Sequence, residues 1–431
     1  MHPIVQYIRR RRSLSLNDGS FIAFSFRTGA LLALFMILDR IYEKVLRLPE
    51  TVYTKTSILF GQPDNGNIAI AIGILLIGTV LCWKCPGMRV SWRKLASGDK
   101  LRWFIGLMMA ALLSSFAAHP TNYHFGQDHW IDRGCLLALA LLTLWRPVFC
   151  LAFVPAMWAV ISQFHYPLTS FPIVMAEFRP LMQILTVFSA FLLLQAKPGL
   201  ARVEHFLFIT GCLVAANFWQ PGLLKLRMDW ISHSHLYGMH VGAYAHGWLG
   251  WLAPEKIANF AQWMAKADYP LQIATLILEL GALLFFVRGK AARALLVLWT
   301  ILLVGFLACF GHFFWKWMLV QLALLWLLRR WAEDRNQQAR LFHWKAFALS
   351  IPIIAAASIT FQSAGLAWFD TPIAHGYRYE AVGESGDRYT IPTRLMAPYH
   401  EEFTMTHFGY VLFEKSIVSP YGATIDREIA N

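Results

Sequence analysis

Lys225 is the residue in this chain with the most chemical potential. It lies in Asn217-Phe-Trp-Gln-Pro-Gly-Leu-Leu-Lys-Leu-Arg-Met-Asp-Trp230, a run that closes a long apolar segment. One amine is thereby set at the rim of hydrocarbon, among aromatic and small residues. Two outcomes are open to it. The side chain can snorkel to water on its flexible stem, or it can give up its proton because desolvation disfavours the ammonium. Only the second makes a base at neutral pH. The preceding Pro221-Gly222 predicts a break in the helix and a close approach of backbone to a ligand.

Glu279, in Leu276-Ile-Leu-Glu-Leu-Gly281, falls well inside another apolar run. A carboxylate there costs a few kcal/mol on insertion scales unless it is protonated or paired, so it is either a structural partner or part of a site. Arg27, in the first apolar run, is the candidate to pair with it. His165, in Gln163-Phe-His-Tyr-Pro167, and His312, in Cys309-Phe-Gly-His-Phe-Phe-Trp315, stand at segment ends, where an imidazole can be structural or can hold a ligand oxygen. His233, His235, His240 and His246 crowd one loop, but no cysteine or carboxylate completes a metal-ligand pattern, and no metal is expected. Cys82-Trp-Lys-Cys85 has the spacing of a redox pair without a thioredoxin-like context. The other four cysteines are Cys135, Cys150, Cys212 and Cys309, and the set reads as thiols rather than a disulfide framework.

The elements that position these groups must be membrane helices. With 57% hydrophobic and 15% charged residues over 431 positions, the chain has too little polar surface for a soluble globule of its size. Its formal charge of +13 is spread in short clusters between apolar runs, as topology setting requires, which argues against nucleic-acid binding. Runs of roughly 20 residues begin near Phe21, Ile68, Trp103, Ile131, Pro147, Pro180, Val203, Pro270, Ala292, Phe313 and Lys345, giving about eleven spans. Two of the divisions, at Arg146-Pro147 and Gly311-His312, cut runs too long for one crossing.

Orientation follows the basic residues. Arg9 to Arg12 place residues 1–20 in the cytoplasm, with no signal-peptide cleavage site following. Asp39, Glu43, Glu50 and Asp64 fall on the opposite side. The expected architecture is an all-α polytopic membrane protein: a transmembrane domain over 21–364 and a short mixed β and coil tail, 365–431, outside the cytoplasm. Lys225, His165 and His312 would then share the outer face. The loop over 231–269 reads as interfacial, with Pro254 opening a short amphipathic helix whose Ile257, Phe260, Ala261 and Met264 share one face as a lid beside Lys225. In the tail, Gly383-Glu-Ser-Gly386 predicts a β-hairpin between Tyr377-Arg-Tyr-Glu and Asp387-Arg-Tyr-Thr-Ile.

The pattern Pro221-Gly222-Leu-Leu-Lys225-Leu-x-x-Asp229-Trp230 resembles the signature of the vitamin K-dependent γ-carboxylase-like family, the horizontally transferred transmembrane (HTTM) domain. The likeness extends over about Phe21 to Leu328. It includes a Phe-Arg opening of the first span at Phe26-Arg27, an acidic residue at Glu279, and histidines at the places of His165 and His312. It implies an integral membrane enzyme with a reduced quinone as cofactor. Lys225 would be the base, His165 would support the quinone site, and Trp219, Gly222, His312 and Trp230 would line it. Such an enzyme abstracts a carbon-bound proton and, in the carboxylases, captures carbon dioxide on a peptide. The bilayer, the expected bacterial inner membrane, would deliver the quinone, and a secreted peptide or protein would be the substrate. The eukaryotic carboxylases carry a much larger lumenal portion that recognises a propeptide, so glutamate carboxylation does not follow from the likeness alone. Gly222-Leu-Leu-Lys-Leu-Arg227 also resembles a motif of lipase maturation factors, membrane chaperones for a secreted client, which need no titrating lysine. A transporter using Arg27 and Glu279 is the weakest reading, since no inverted repeat is evident.

Overall fold

The computed structural model describes residues 18–45, 48, 50–60, 91–95, 98–118, 128–161, 171–195, 200–227, 230–233, 236–245, 248–311, 314–330, 340–363, 377–378, 380–390 and 418–419. It is a helical bundle. The principal helices are α1 (Asp18–Val45), α2 (Gly98–Ala118), α3 (Trp130–Trp145), α4 (Cys150–Ile161), α5 (Phe171–Leu194), α6 (Val203–Arg227), α7 (Leu236–Ala245), α8 (Pro254–Leu280), α9 (Gly289–Phe310), α10 (Trp315–Arg330) and α11 (Trp344–Ala355).

Among the described residues, five stretches are long and apolar enough to cross a membrane: Phe21–Lys44, Gly98–Ala117, Val203–Arg227, Pro254–Leu284 and Gly289–Phe310. This is a multi-pass membrane architecture. Pro147–Ile161, Phe178–Leu194 and Trp344–Ala355 are shorter apolar helices. The run expected from Ile68, and with it Cys82 and Cys85, lies outside the described residues.

Burial ranks the spans. α6 is 78% buried against other protein, whereas the spans of α1 and α9 are 22% buried and expose Ile22, Phe26, Ile301 and Val304. A helix apolar all round belongs at the centre of a membrane bundle, and one with an unpartnered apolar face belongs beside lipid. α6 packs against α1, α5, α8 and α11, so its residues are positioned from every side.

Both expected turns are present. Arg146 adopts extended backbone and Pro147–Phe149 forms a 3-10 turn into α4. Gly311 ends α9 with φ of 72°, its N–H donating to Leu307 O at 3.0 Å. A Cβ there would meet the Trp248 ring at 3.0 Å, so glycine serves both backbone and packing.

Two expectations are corrected. Pro221-Gly222 does not break its helix, which runs on to Arg227. Nor is the Pro254 helix a separate lid: it continues through Pro270 to Leu280 as one element. A proline removes one helical hydrogen bond, and inside a membrane bundle tertiary packing retains the helix around the gap. Ile257, Ala261 and Met264 do turn inward, but Phe260 is exposed and stacks on Trp263 at 5.4 Å. In the tail, β2 (Glu380–Val382) pairs antiparallel with β3 (Arg388–Thr390), closed by Gly383 N–H to Asp387 O at 2.8 Å. β1 (Tyr377–Arg378) pairs with β4 (Val418–Ser419), a longer-range match that local pattern does not announce.

Candidate functional site

Phe218, Gly222 and Lys225 recur on one face of α6 at helical spacing. That face meets the end of α8. Lys225 Nζ donates to Glu279 Oε1 at 2.6 Å, and each residue is only 4% exposed. Glu279 stands in the last turn of α8, inside the apolar stretch Pro254–Leu284. Gly222 makes the approach possible: a Cβ at this position would lie 2.8 Å from Glu279 Cβ and 3.4 Å from Oε2. The ammonium also lies 5.4 Å from the centre of the Trp230 ring.

Apolar layers close the pair on two sides. Towards the bundle centre, Phe218 stacks on Trp299 at 4.3 Å, and Trp299 stacks on Phe285 at 5.9 Å. Trp299 Nε1 donates to Leu278 O at 2.9 Å, fixing this floor directly against the residue before Glu279. On the other side Trp230, Leu236, Met264, Leu276 and Phe310 form a second cluster. α7 holds this cap in place: Leu236 N–H donates to Asp268 Oδ1 at 2.8 Å, and His240 Nδ1–H donates to Cys309 O at 2.6 Å. Excluding water strengthens the attraction within the pair, and the same desolvation makes either charge expensive alone.

Glu279 Oε2 and Trp230 Nε1 are buried without a hydrogen-bond partner among the described residues. An acceptor and a donor thus remain open beside the amine, a combination that suits a ligand bearing ring hydroxyl or carbonyl oxygens. Trp219 lies on another side of α6, half-buried against the main core, with its Nε1 also unpartnered. A small crevice is lined by Pro180, Val214, Asn217, Phe218, Trp317, Val320 and Gln321. Phe218 separates it from Lys225, which is not in its lining.

Arg27 does not meet Glu279. Phe24, one turn before it, stacks on His205 at 4.9 Å and packs edge-on against Phe208, near the start of α6. From Phe208 to Lys225 is a rise of about 25 Å along a helix. The partner of Glu279 is Lys225. His165, His312, His235 and His246 lie outside the described residues, as does the side chain of His233. Among the described residues no group of three His, Cys, Asp or Glu side chains converges as metal ligands would.

Two polar clusters escaped the sequence reading. Asp39 and Glu43 belong to α1 rather than to a connection, and Asp39 is buried. Gln183 Nε2 donates to Asp39 Oδ2 at 3.1 Å and to Phe361 O at 2.6 Å, while Arg179 reaches Glu43 Oε1 at 3.1 Å and Gln362 Oε1 at 2.5 Å. This network ties α1, α5 and the chain after α11. Asp132 accepts from Ser57 Oγ, Ile58 N and Leu59 N at 2.7, 2.7 and 3.0 Å, pinning that loop to the start of α3. A carboxylate in an apolar run was the available signal in both cases, the one that singled out Glu279. Comparison with family models, with curated proteins and with solved structures finds no match to this chain.

Proposed function

We propose that this protein is a multi-pass membrane enzyme resembling the vitamin K-dependent γ-carboxylases, with Lys225 Nζ as its base and Glu279 as the proton-exchanging partner. One observation carries the reading: a protein-enclosed amine 2.6 Å from a carboxylate whose second oxygen is unpartnered. In a dry site such a pair can stand as ammonium and carboxylate or, after a proton shift along the same hydrogen bond, as amine and carboxylic acid. The second form presents the base. Glu279 Oε2 and Trp230 Nε1 would hold the oxygens of a hydroquinone, and Gly222 keeps the face beside the carboxylate free of a side chain. When bound, a quinol of this class would supply the electrons that reduce dioxygen, and that oxidation of the quinol by dioxygen would provide a base strong enough to remove a carbon-bound proton. Trp230, Met264, Leu276 and Phe310 keep water from quenching that chemistry. The proposal carries with it eleven spans in a bacterial inner membrane, a cytoplasmic N-terminus, and a tail outside that meets a secreted peptide.

The test is oxidation of a reduced naphthoquinone by the purified protein, with uptake of labelled carbon dioxide into added peptide as a second readout. Lys225→Arg keeps an ion pair with Glu279 but cannot act as a base near neutrality, so it should abolish quinol oxidation. Full activity in the arginine variant, or no oxidation by the wild type, would overturn the proposal. A second reading, a membrane chaperone similar to the lipase maturation factors, is favoured by the closure of the pair on itself and by the separation of the crevice from Lys225. In that reading the pair is a clamp, and Lys225→Arg leaves secretion of a client unchanged.

A further inference from the structure

We infer that the end of the bundle where α1, α6 and α11 begin binds the phosphate group of an anionic membrane lipid, held by Arg27, Arg202 and Lys345 with His205 and Thr28 as hydrogen-bond donors. The helices converge there through ring contacts. Phe24 of α1 stacks on His205 of α6, and Lys345 Nζ of α11 lies 5.3 Å from the Phe21 ring. Arg27 follows Phe24 by about one turn of α1, and Arg202 directly precedes α6, with its backbone bonded to the His205 ring. Glu204, beside His205 in the first turn of α6, is engaged by Arg340 at 3.3 Å.

Buried donors on the same turns of α1 and α6 have no partners among the described residues. Arg202 N–H donates to His205 Nδ1 at 3.0 Å. The Arg202 carbonyl lies 3.3 Å from the same nitrogen, but a backbone N–H can only donate, which makes Nδ1 the acceptor and places the ring hydrogen of the neutral imidazole on Nε2. That Nε2 is buried with no partner among the described residues. The Thr28 hydroxyl, on a residue 1% exposed, is likewise unpartnered, as is Ser25 Oγ on the adjoining turn. Leaving such groups unmatched costs about 1–3 kcal/mol each, so the fold tolerates a set of them best where a ligand completes it. Donors, guanidinium groups and the first turn of α6 all favour an anion, and a phosphate oxygen accepts from each of them.

The source of that phosphate is set by the surroundings. Ile22 and Phe26, on either side of Phe24, are 67% and 70% exposed on a helix that reads as facing lipid. An arginine about one and a half turns inside the span can direct its head towards the headgroup level while its stem stays in the apolar layer. Basic pockets between membrane helices bind lipid headgroups in this manner. The site does not involve Lys225 or Glu279 and stands apart from the proposed enzyme activity.

The experiment is equilibrium binding of a fluorescent phosphatidylglycerol to the purified full-length protein in neutral detergent, with phosphatidylcholine and sodium phosphate as competitors. Wild-type protein should bind phosphatidylglycerol, with neither competitor displacing it at equal concentration. Arg27→Gln and Lys345→Gln should each weaken binding about fivefold, the equivalent of about 1 kcal/mol per basic residue at a membrane surface. Thr28→Val keeps volume and charge and should weaken binding by a similar factor, which separates lost recognition from misfolding. Lys256→Gln, at an exposed lysine on α8, should change nothing. Equal competition by phosphatidylcholine, or wild-type affinity in both Arg27→Gln and Thr28→Val, would overturn the site. Displacement by sodium phosphate at the lipid's own concentration would overturn its assignment to a lipid.

Discussion

Breaking the Lys225–Glu279 pair from one side should cost far more than removing both partners together. At 2.6 Å and an effective dielectric constant of about 20, the direct attraction is on the order of 6 kcal/mol. Desolvating two ions offsets it by several kcal/mol each, so the net value of the pair against apolar residues is near zero. A lone buried charge keeps the desolvation cost and loses the attraction. Lys225→Met and Glu279→Leu should therefore each destabilise by about 3–5 kcal/mol, while the double variant should lie within about 2 kcal/mol of wild type. The resulting coupling energy is on the order of 5 kcal/mol, against less than about 1 kcal/mol for an exposed pair. Reversible unfolding in mixed micelles, followed by tryptophan fluorescence, gives the four stabilities. Additive single variants, or a Lys225→Met protein as stable as wild type, would mean that the amine is hydrated and that the enclosure of this site is wrong.

Three further outcomes follow from the same packing. Asp132→Ala should destabilise by about 2–4 kcal/mol, because two backbone N–H groups and the Ser57 hydroxyl lose their acceptor; unchanged proteolysis of the loop around Ile58 would contradict this. Gly222→Ala gains roughly 1 kcal/mol in helix propensity, yet it should destabilise overall by about 1–2 kcal/mol, because the new methyl meets Glu279 Cβ and α8 must shift; a stability at or above wild type would refute the close approach. Gln183→Leu should cost about 2–3 kcal/mol by freeing Asp39 Oδ2 and Phe361 O together, and Asp39→Asn combined with it should recover part of that loss in the same unfolding assay.

Much of this architecture was written in local pattern. Long apolar runs between basic clusters determine a multi-pass membrane protein whatever the arrangement of its helices, because the bilayer admits only segments that satisfy their own backbone. The turns at Arg146-Pro147 and Gly311, and the hairpin around Gly383 and Gly386, depend on backbone preferences spanning a few residues, so they too were legible. The polar residues in apolar runs could be identified as expensive, but not matched. Which carboxylate meets Lys225 depends on which helices are neighbours, at what depth and in what rotation, and Glu279 is 54 residues away. Arg27, equally plausible by composition, is held near the opposite end of α6 by the packing of Phe24 on His205. The continuity of α6 past Pro221 and of α8 past Pro270 was also a tertiary outcome: a proline states its local cost, and only the surrounding helices decide whether that cost ends the element.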